Sequence, residues 1–150
     1  MDKNVLAETY AWFVTALPNP PQNQLQVQMG CHFEEVGEQI DEMEALDPET
    51  AYLMTQARKA ITALADRLKF PDVQRVEVKN RLKFLDALCD QIVTATGTAY
   101  LADLKIVGGL NEVNRSNYTK FDEHGSPVFK ENGKIGKSER YEEADLEPFI

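Results

Sequence analysis

The chain has 150 residues, of which 43% are hydrophobic and 27% charged, and its net charge is −9. This size and composition are typical of one soluble domain. The acidic balance repels phosphate backbones and argues against nucleic-acid binding. Because no apolar run suits a membrane span, no signal peptide is apparent and there are only two cysteines, we expect a cytoplasmic protein without a membrane partner.

The first half of the chain predicts three helices. The first covers about residues 2–16 and ends before a proline-rich loop. The second covers about residues 24–46, where apolar residues recur at helical spacing on one face. Asp47 then suits an N-cap and Pro48 the first position of a third helix, which runs to about residue 68.

The second half predicts one long helix and a polar tail. The long helix covers about residues 72–104, and a short one covers residues 110–116. Residues 117–150 are polar, with a turn or hairpin signal at Asn132-Gly133, and we expect them to lie outside the core. The predicted fold is all-α: a four-helix bundle formed by residues 1–116, with an irregular C-terminal tail or flap of residues 117–150 in the same domain.

The second helix and its end carry an unusual run of acids without any base. A solvated helix face is one explanation, but no lysine or arginine offsets the repulsion within the run. By helical spacing, some of these acids lie on the flank of the apolar stripe instead of opposite it. The acids of the run are Glu34, Glu35, Glu38, Asp41, Glu42, Glu44, Asp47 and Glu49.

Two further acids lie on the fourth helix. Asp86 and Asp90 are four residues apart, so they share a face that also carries apolar residues. Their charge needs compensation, either from Lys79 or Lys83 or from a divalent cation. If the second and fourth helices face each other in a bundle, their carboxylates point into one gap. Oxygen ligands alone suit Mg²⁺ or Mn²⁺.

Three motifs in this order resemble those of a known family. Glu34-Glu35-Val36-Gly37-Glu38 is similar to an EExxE motif, Asp86 to Asp90 to a later acidic pair, and residues 112–120 to a segment with an RSNxxK pattern. The chain thus resembles the all-α nucleotide pyrophosphohydrolases of MazG and phosphoribosyl-ATP pyrophosphohydrolase type. That family spaces its second pair three apart, and here Ala87 stands at the first of those positions, so Asp86 is either a ligand or a neighbour of one.

The resemblance implies cleavage between the α and β phosphates of a nucleoside triphosphate, giving a monophosphate and pyrophosphate. It implies Mg²⁺, which Mn²⁺ can replace, and assembly into a homodimer or homotetramer. Apolar residues on more than one side of the first and third helices also favour an oligomer. The implied roles are catalytic for Glu34 and Glu35, metal-binding for Glu35, Glu38, Asp86 and Asp90, and substrate-binding for Asn114, Asn117 and Lys120.

Other functions stay open at this point. The substrate could be phosphoribosyl-ATP, or the chain could be a non-enzymatic acidic protein that mimics DNA, or a plain oligomerisation bundle. Residues 115–140 are locally basic, which fits either a phosphate-binding flap or a solubilising tail. The pyrophosphohydrolase accounts for the acids of both helices and for the basic segment together.

Overall fold

The computed structural model describes residues 4–150, and their regular secondary structure is helical. The five α-helices are Val5–Ala16 (α1), Gln24–Asp41 (α2), Pro48–Leu68 (α3), Arg81–Leu101 (α4) and Ile106–Tyr118 (α5), followed by a 3-10 turn at Glu147–Phe149. These residues contain two isolated β-bridges but no strand, which confirms the all-α class. Residues 2 and 3 of the first predicted helix lie outside the described range. None of the helices described is long and apolar enough to cross a membrane.

The predicted start of α3 is confirmed in detail. The Asp47 side chain accepts a hydrogen bond from the Thr50 amide at 2.8 Å, and Pro48 occupies the first turn. Asn4 caps α1 in the same way, with its side chain accepting from the Ala7 amide at 3.1 Å. Each cap satisfies an amide that the helix itself leaves without a partner.

The second helix is shorter than predicted, since α2 ends at Asp41 and not near residue 46. Glu42 and Glu44 follow it directly, and no basic residue lies in its last turn. Negative charge at the C-terminal end of a helix opposes the helix dipole. The acid run therefore explains why the helix stops before the run does.

The fourth helix is also shorter, because α4 begins at Arg81 and not near residue 72. Asn80 caps it by accepting from the Lys83 amide at 3.0 Å. The preceding segment is irregular, and the buried Gln26 side chain binds its main chain. Gln26 donates to the Phe70 carbonyl at 2.9 Å and accepts from the Arg75 amide at 2.6 Å. These tertiary bonds replace the helical ones.

The chain divides into two compact units, which are described separately. The first contains the chain up to Asn19, Val78–Phe129 and Ile135–Ile150, and the second contains Pro20–Glu77 and Lys130–Lys134.

In the first unit, α1 packs against α5, and the aromatic core lies at the end of this pair. Trp12 and Phe121 are buried and stack with ring centroids 5.9 Å apart, and Ile135 packs against them. The expectation that residues 117–150 lie outside the core was therefore wrong. Phe121 is an isolated apolar residue in a polar stretch, and the turn bridging Phe121 to Pro127 directs it onto Trp12.

The helix α5 is longer than predicted and includes Gly108 and Gly109. A Cβ atom at Gly108 would lie 2.6 Å from the Phe149 ring. The two glycines therefore provide the surface on which the C-terminal turn docks, and the Lys105 amide donates to the Phe149 carbonyl at 2.9 Å.

The second unit is built on an antiparallel pair of helices, α2 and α3. Gly30 and Gly37, seven residues apart, allow the close approach. A Cβ atom at Gly30 would lie 2.8 Å from the Ala65 carbonyl oxygen, and one at Gly37 would lie 2.7 Å from the Arg58 guanidinium. This close packing aligns the acids of α2 with the bases of α3.

Candidate functional site

The acids of α2 find their counter-charges on α3. Arg58 binds Asp41 through two nitrogen atoms, with contacts of 2.8 and 2.7 Å. About two turns earlier on α2, Glu34 pairs with Lys69 at 2.8 Å. The sequence run lacks bases, but the antiparallel neighbour supplies them at two points, so part of the run is structural.

Glu34 also binds a second lysine, Lys134, which lies in the turn Lys130–Lys134. Lys69 donates to its Oε1 at 2.8 Å and Lys134 donates to its Oε2 at 2.7 Å. These hydrogen bonds, that of Lys134 first, hold the pKa of the Glu34 carboxyl below its usual range. A carboxylate with a lowered pKa is a poorer proton acceptor, so Glu34 suits an electrostatic role better than that of a general base.

The turn that carries Lys134 has the geometry that its sequence predicts. Gly133 has a φ of +79°, which glycine adopts easily, and the Lys130 amide donates to the Lys134 carbonyl at 2.8 Å. The buried Gln24 side chain donates to the Gly133 carbonyl at 3.1 Å. The turn predicted at Asn132-Gly133 is thus confirmed, and Gln24 fixes it to the start of α2.

Glu35 and Glu38 differ from Glu34 in their exposure. Both are exposed and lie three residues apart on α2, so they belong to one side of the helix. Mg²⁺ commonly uses one or two carboxylates and completes its coordination with water and substrate phosphates. The chemistry of these two side chains therefore fits a hard divalent cation.

Asp86 and Asp90 lie on α4, in the first unit, and both are exposed. From their apolar neighbours on the helix we inferred that they border a buried apolar surface, where an unpaired charge is costly. Their exposure removes that argument, because water solvates both carboxylates. Among residues 4–150, no three histidine, cysteine, aspartate or glutamate side chains are arranged to hold a metal ion. The four-carboxylate site therefore stays a prediction.

The three predicted substrate-binding residues lie at the C-terminal half of α5 or just after it. Asn114 is 1% exposed and its side chain is used within the fold: it donates to the Val5 carbonyl at 3.1 Å and accepts from the Thr9 hydroxyl at 2.9 Å. Lys120 places its ammonium 5.8 Å from the centre of the Trp12 ring. The main-chain carbonyl of Asn117 accepts from the Trp12 indole at 2.9 Å. These contacts join α1 to α5.

A pocket of about 500 Å³ lies at the tip of the α2–α3 pair, beside the end of α2. This volume falls in the range of small-molecule sites. Its wall is apolar apart from Thr55 and three charged residues, and two of the charged residues are the paired Asp41 and Arg58. The lining residues are Ile40, Asp41, Met43, Ala45, Ala51, Met54, Thr55, Arg58 and Lys59.

The sequence did not indicate Lys69 or the pocket. Lys69 is the C-cap residue of α3 and lies 35 residues from its partner Glu34 in the chain. The seven-residue spacing of Gly30 and Gly37 was the available signal, since it predicts the close contact of α2 with another helix.

Comparison with known proteins adds nothing to this site, because no family model, no curated protein and no solved structure matches the chain.

Proposed function

We propose that the chain is a nucleoside triphosphate pyrophosphohydrolase that depends on a divalent cation, Mg²⁺ or Mn²⁺. The observation that carries this proposal is the order of groups along the second unit. A lysine pair lies at Glu34, exposed carboxylates follow at Glu35 and Glu38, and an apolar pocket begins at Ile40. The resemblance of the EExxE, DxxxD and RSNxxK motifs supports the same chemistry.

The spacing of these groups suits a nucleotide. From Glu34 to Ile40 the axis of α2 rises by about 9 Å, and the side chains at the two ends extend this span. A base fits the Met-lined pocket, whose thioether side chains adapt to flat ligands. The phosphates then lie beside Glu35 and Glu38.

Glu35 and Glu38 would hold the cation, and Asp86 and Asp90 remain further predicted ligands. A divalent cation held there would neutralise charge on phosphate oxygens and would lower the pKa of a coordinated water. In this proposal, Glu35 accepts the proton of the attacking water. Glu34 is already paired with two lysines and does not act as the base.

The proposed assembly is a homodimer or homotetramer, within which the predicted four-helix bundle would be completed. The support comes from α4, in which only Ala99 is buried. A helix with apolar residues on several sides is normally covered by other helices, and a second copy of this chain is the occupant that we propose. The large exposed side chains of α4 are Leu82, Leu85, Leu88, Ile92, Val93, Tyr100 and Leu101.

The test is a product analysis over a panel of nucleoside and deoxynucleoside triphosphates and phosphoribosyl-ATP, with Mg²⁺ or with EDTA. We expect monophosphate and pyrophosphate in equal amounts, and only with Mg²⁺. Glu38→Gln should lower kcat by at least about a hundredfold, equivalent to ~3 kcal/mol of transition-state stabilisation. Glu44→Gln removes the same charge from the end of the acid run and should retain activity. Direct release of orthophosphate, or full activity in EDTA, would refute the proposal.

A further inference from the structure

Two lysines converge on one carboxylate in the second unit, and each binds a different oxygen atom. The Lys69 ammonium lies 2.8 Å from Glu34 Oε1, and the Lys134 ammonium lies 2.7 Å from Glu34 Oε2. The carboxylate thus bridges two ammonium groups, as an oxyanion ligand would. Exposed ion pairs seldom have this geometry, because two long side chains must be ordered to form it.

The fold itself positions Lys69. Its side chain is only 15% exposed, and it crosses α2 at the place where Gly30 has no side chain. A Cβ atom at Gly30 would lie 2.8 Å from Lys69 Cγ. The stem of the lysine therefore fills the gap over Gly30, and its ammonium emerges beside Glu34.

The turn Lys130–Lys134 positions the other ammonium. The Asn132 side chain accepts a hydrogen bond from the Lys134 amide at 3.1 Å, and the Gln24 side chain donates one to the Gly133 carbonyl at 3.1 Å. The Lys134 side chain is 33% exposed, so solvent reaches it from one side. The stem of Lys69 and the main chain of Lys134 are thus fixed by contacts that do not involve Glu34.

We propose that Lys69 and Lys134 form a binding site for a phosphate group, and that Glu34 occupies this site while no phosphate is bound. Phosphate oxygens accept the same charge-assisted hydrogen bonds from ammonium groups as carboxylate oxygens do. The identification of the natural ligand as the β and γ phosphates of a nucleotide, or the pyrophosphate product, rests on the proposed function. The lysine site itself does not depend on catalysis.

The local charges make Glu34 a competitor of the incoming anion. Lys69 also contacts Asp66 at 3.2 Å, so two carboxylates already balance the two lysines. A phosphate that arrives while Glu34 stays in place adds uncompensated negative charge. Phosphate binding therefore requires the Glu34 carboxylate to leave the lysines, and removal of its charge should strengthen binding.

The experiment is isothermal titration of the full-length protein with inorganic pyrophosphate in EDTA, where no turnover occurs. Lys134→Ala should weaken binding by about tenfold or more, the size expected for one lost charge-assisted bond. Glu34→Gln should tighten binding by at least about threefold, since it leaves an ammonium without its partner. Lys130→Ala is the matched control, because Lys130 is exposed on the same turn and its side chain makes no ion pair within residues 4–150. It should bind as the unmodified protein does.

Opposite signs for Glu34→Gln and Lys134→Ala separate this proposal from general electrostatic attraction. It is overturned if Glu34→Gln leaves binding unchanged or weakens it, or if Lys130→Ala costs as much as Lys134→Ala. Far-UV circular dichroism establishes that each variant is folded, and Lys134→Ala, which changes only a turn side chain, is decisive on its own. If the lysine effects appear but no nucleotide is ever hydrolysed, the proposed function fails and the phosphate site stands.

Discussion

Replacement of Asn114 by alanine distinguishes the structural role that this residue has in the fold from the substrate-binding role that its motif implies. The Asn114 side chain is buried and makes two hydrogen bonds to α1, one with Val5 and one with Thr9. Loss of both bonds at these half-buried partners should lower the free energy of unfolding by about 2–3 kcal/mol. For a chain of this length the melting temperature should fall by about 5–10 °C.

The assay is urea unfolding followed by tryptophan fluorescence, at one fixed protein concentration so that any assembly contributes equally. Trp12 is the single tryptophan and lies in the core between α1 and α5, so its emission reports on this unit. Thr9→Val should lose part of the same energy, and the double variant should lose less than the sum, because the two side chains share a bond.

Asn117→Ala is the control, since the contact of Asn117 with Trp12 uses a main-chain carbonyl that alanine retains. Its unfolding free energy should stay within about 0.5 kcal/mol of the original. An Asn114→Ala protein with unchanged stability but impaired nucleotide binding would refute this reasoning and restore Asn114 to the substrate site.

Three further predictions follow from the packing, the charges and the exposed surface. Gly30→Ala should destabilise the α2–α3 pair by about 1–3 kcal/mol because its methyl group meets the Ala65 carbonyl at 2.8 Å; Gly109→Ala, with its nearest neighbour at 3.8 Å, should be neutral or stabilising by up to ~1 kcal/mol in the same melting assay. The lysine partners lower the pKa of Glu34 from 4.5, so the stability they give is present above that pH and is lost as the pH falls through the folded pKa. Urea unfolding between about pH 5 and pH 3 should therefore show a shallower acid loss in Lys134→Ala than in Lys130→Ala, and equal slopes would exclude the pairing. Light scattering should give at least twice the chain mass of 17.0 kDa, and Leu85→Glu on α4 should reduce it; a monomer before any substitution would dismiss the assembly.

Periodicity and local signals predicted correctly those parts of the fold that depend on residues close together in sequence. The caps at Asp47 and the turn at Gly133 need only adjacent residues, and both are confirmed. The start of α4 was placed too early, because the bonds of Gln26 with residues 70 and 75 compete with helix formation there and come from a helix distant in the chain. Such bonds leave no mark in a local pattern.

The candidate site also has parts that the sequence pattern predicts and parts that depend on distant residues. The acids of α2 were visible as a run, but the two lysines that bind Glu34 lie 35 and 100 residues away in the chain. Asp86 and Asp90 were expected beside a buried apolar surface, and their exposure shows that an apolar helix face in sequence need not be covered within one chain. Phe121, in contrast, was expected outside the core but is buried. A single aromatic residue in a polar stretch shows no periodicity that would predict its burial.

Direct titration of the protein with Mn²⁺, followed by electron paramagnetic resonance, tests most directly whether the exposed carboxylates of α2 hold a divalent cation. The signal of free Mn²⁺ should decrease as protein is added, and Mg²⁺ should restore it by competition. Glu35→Gln and Glu38→Gln should each weaken Mn²⁺ binding by about tenfold or more, whereas Glu44→Gln should not. Absence of Mn²⁺ binding at millimolar concentration, or equal losses in all three variants, would contradict the cation site and the hydrolytic function built on it.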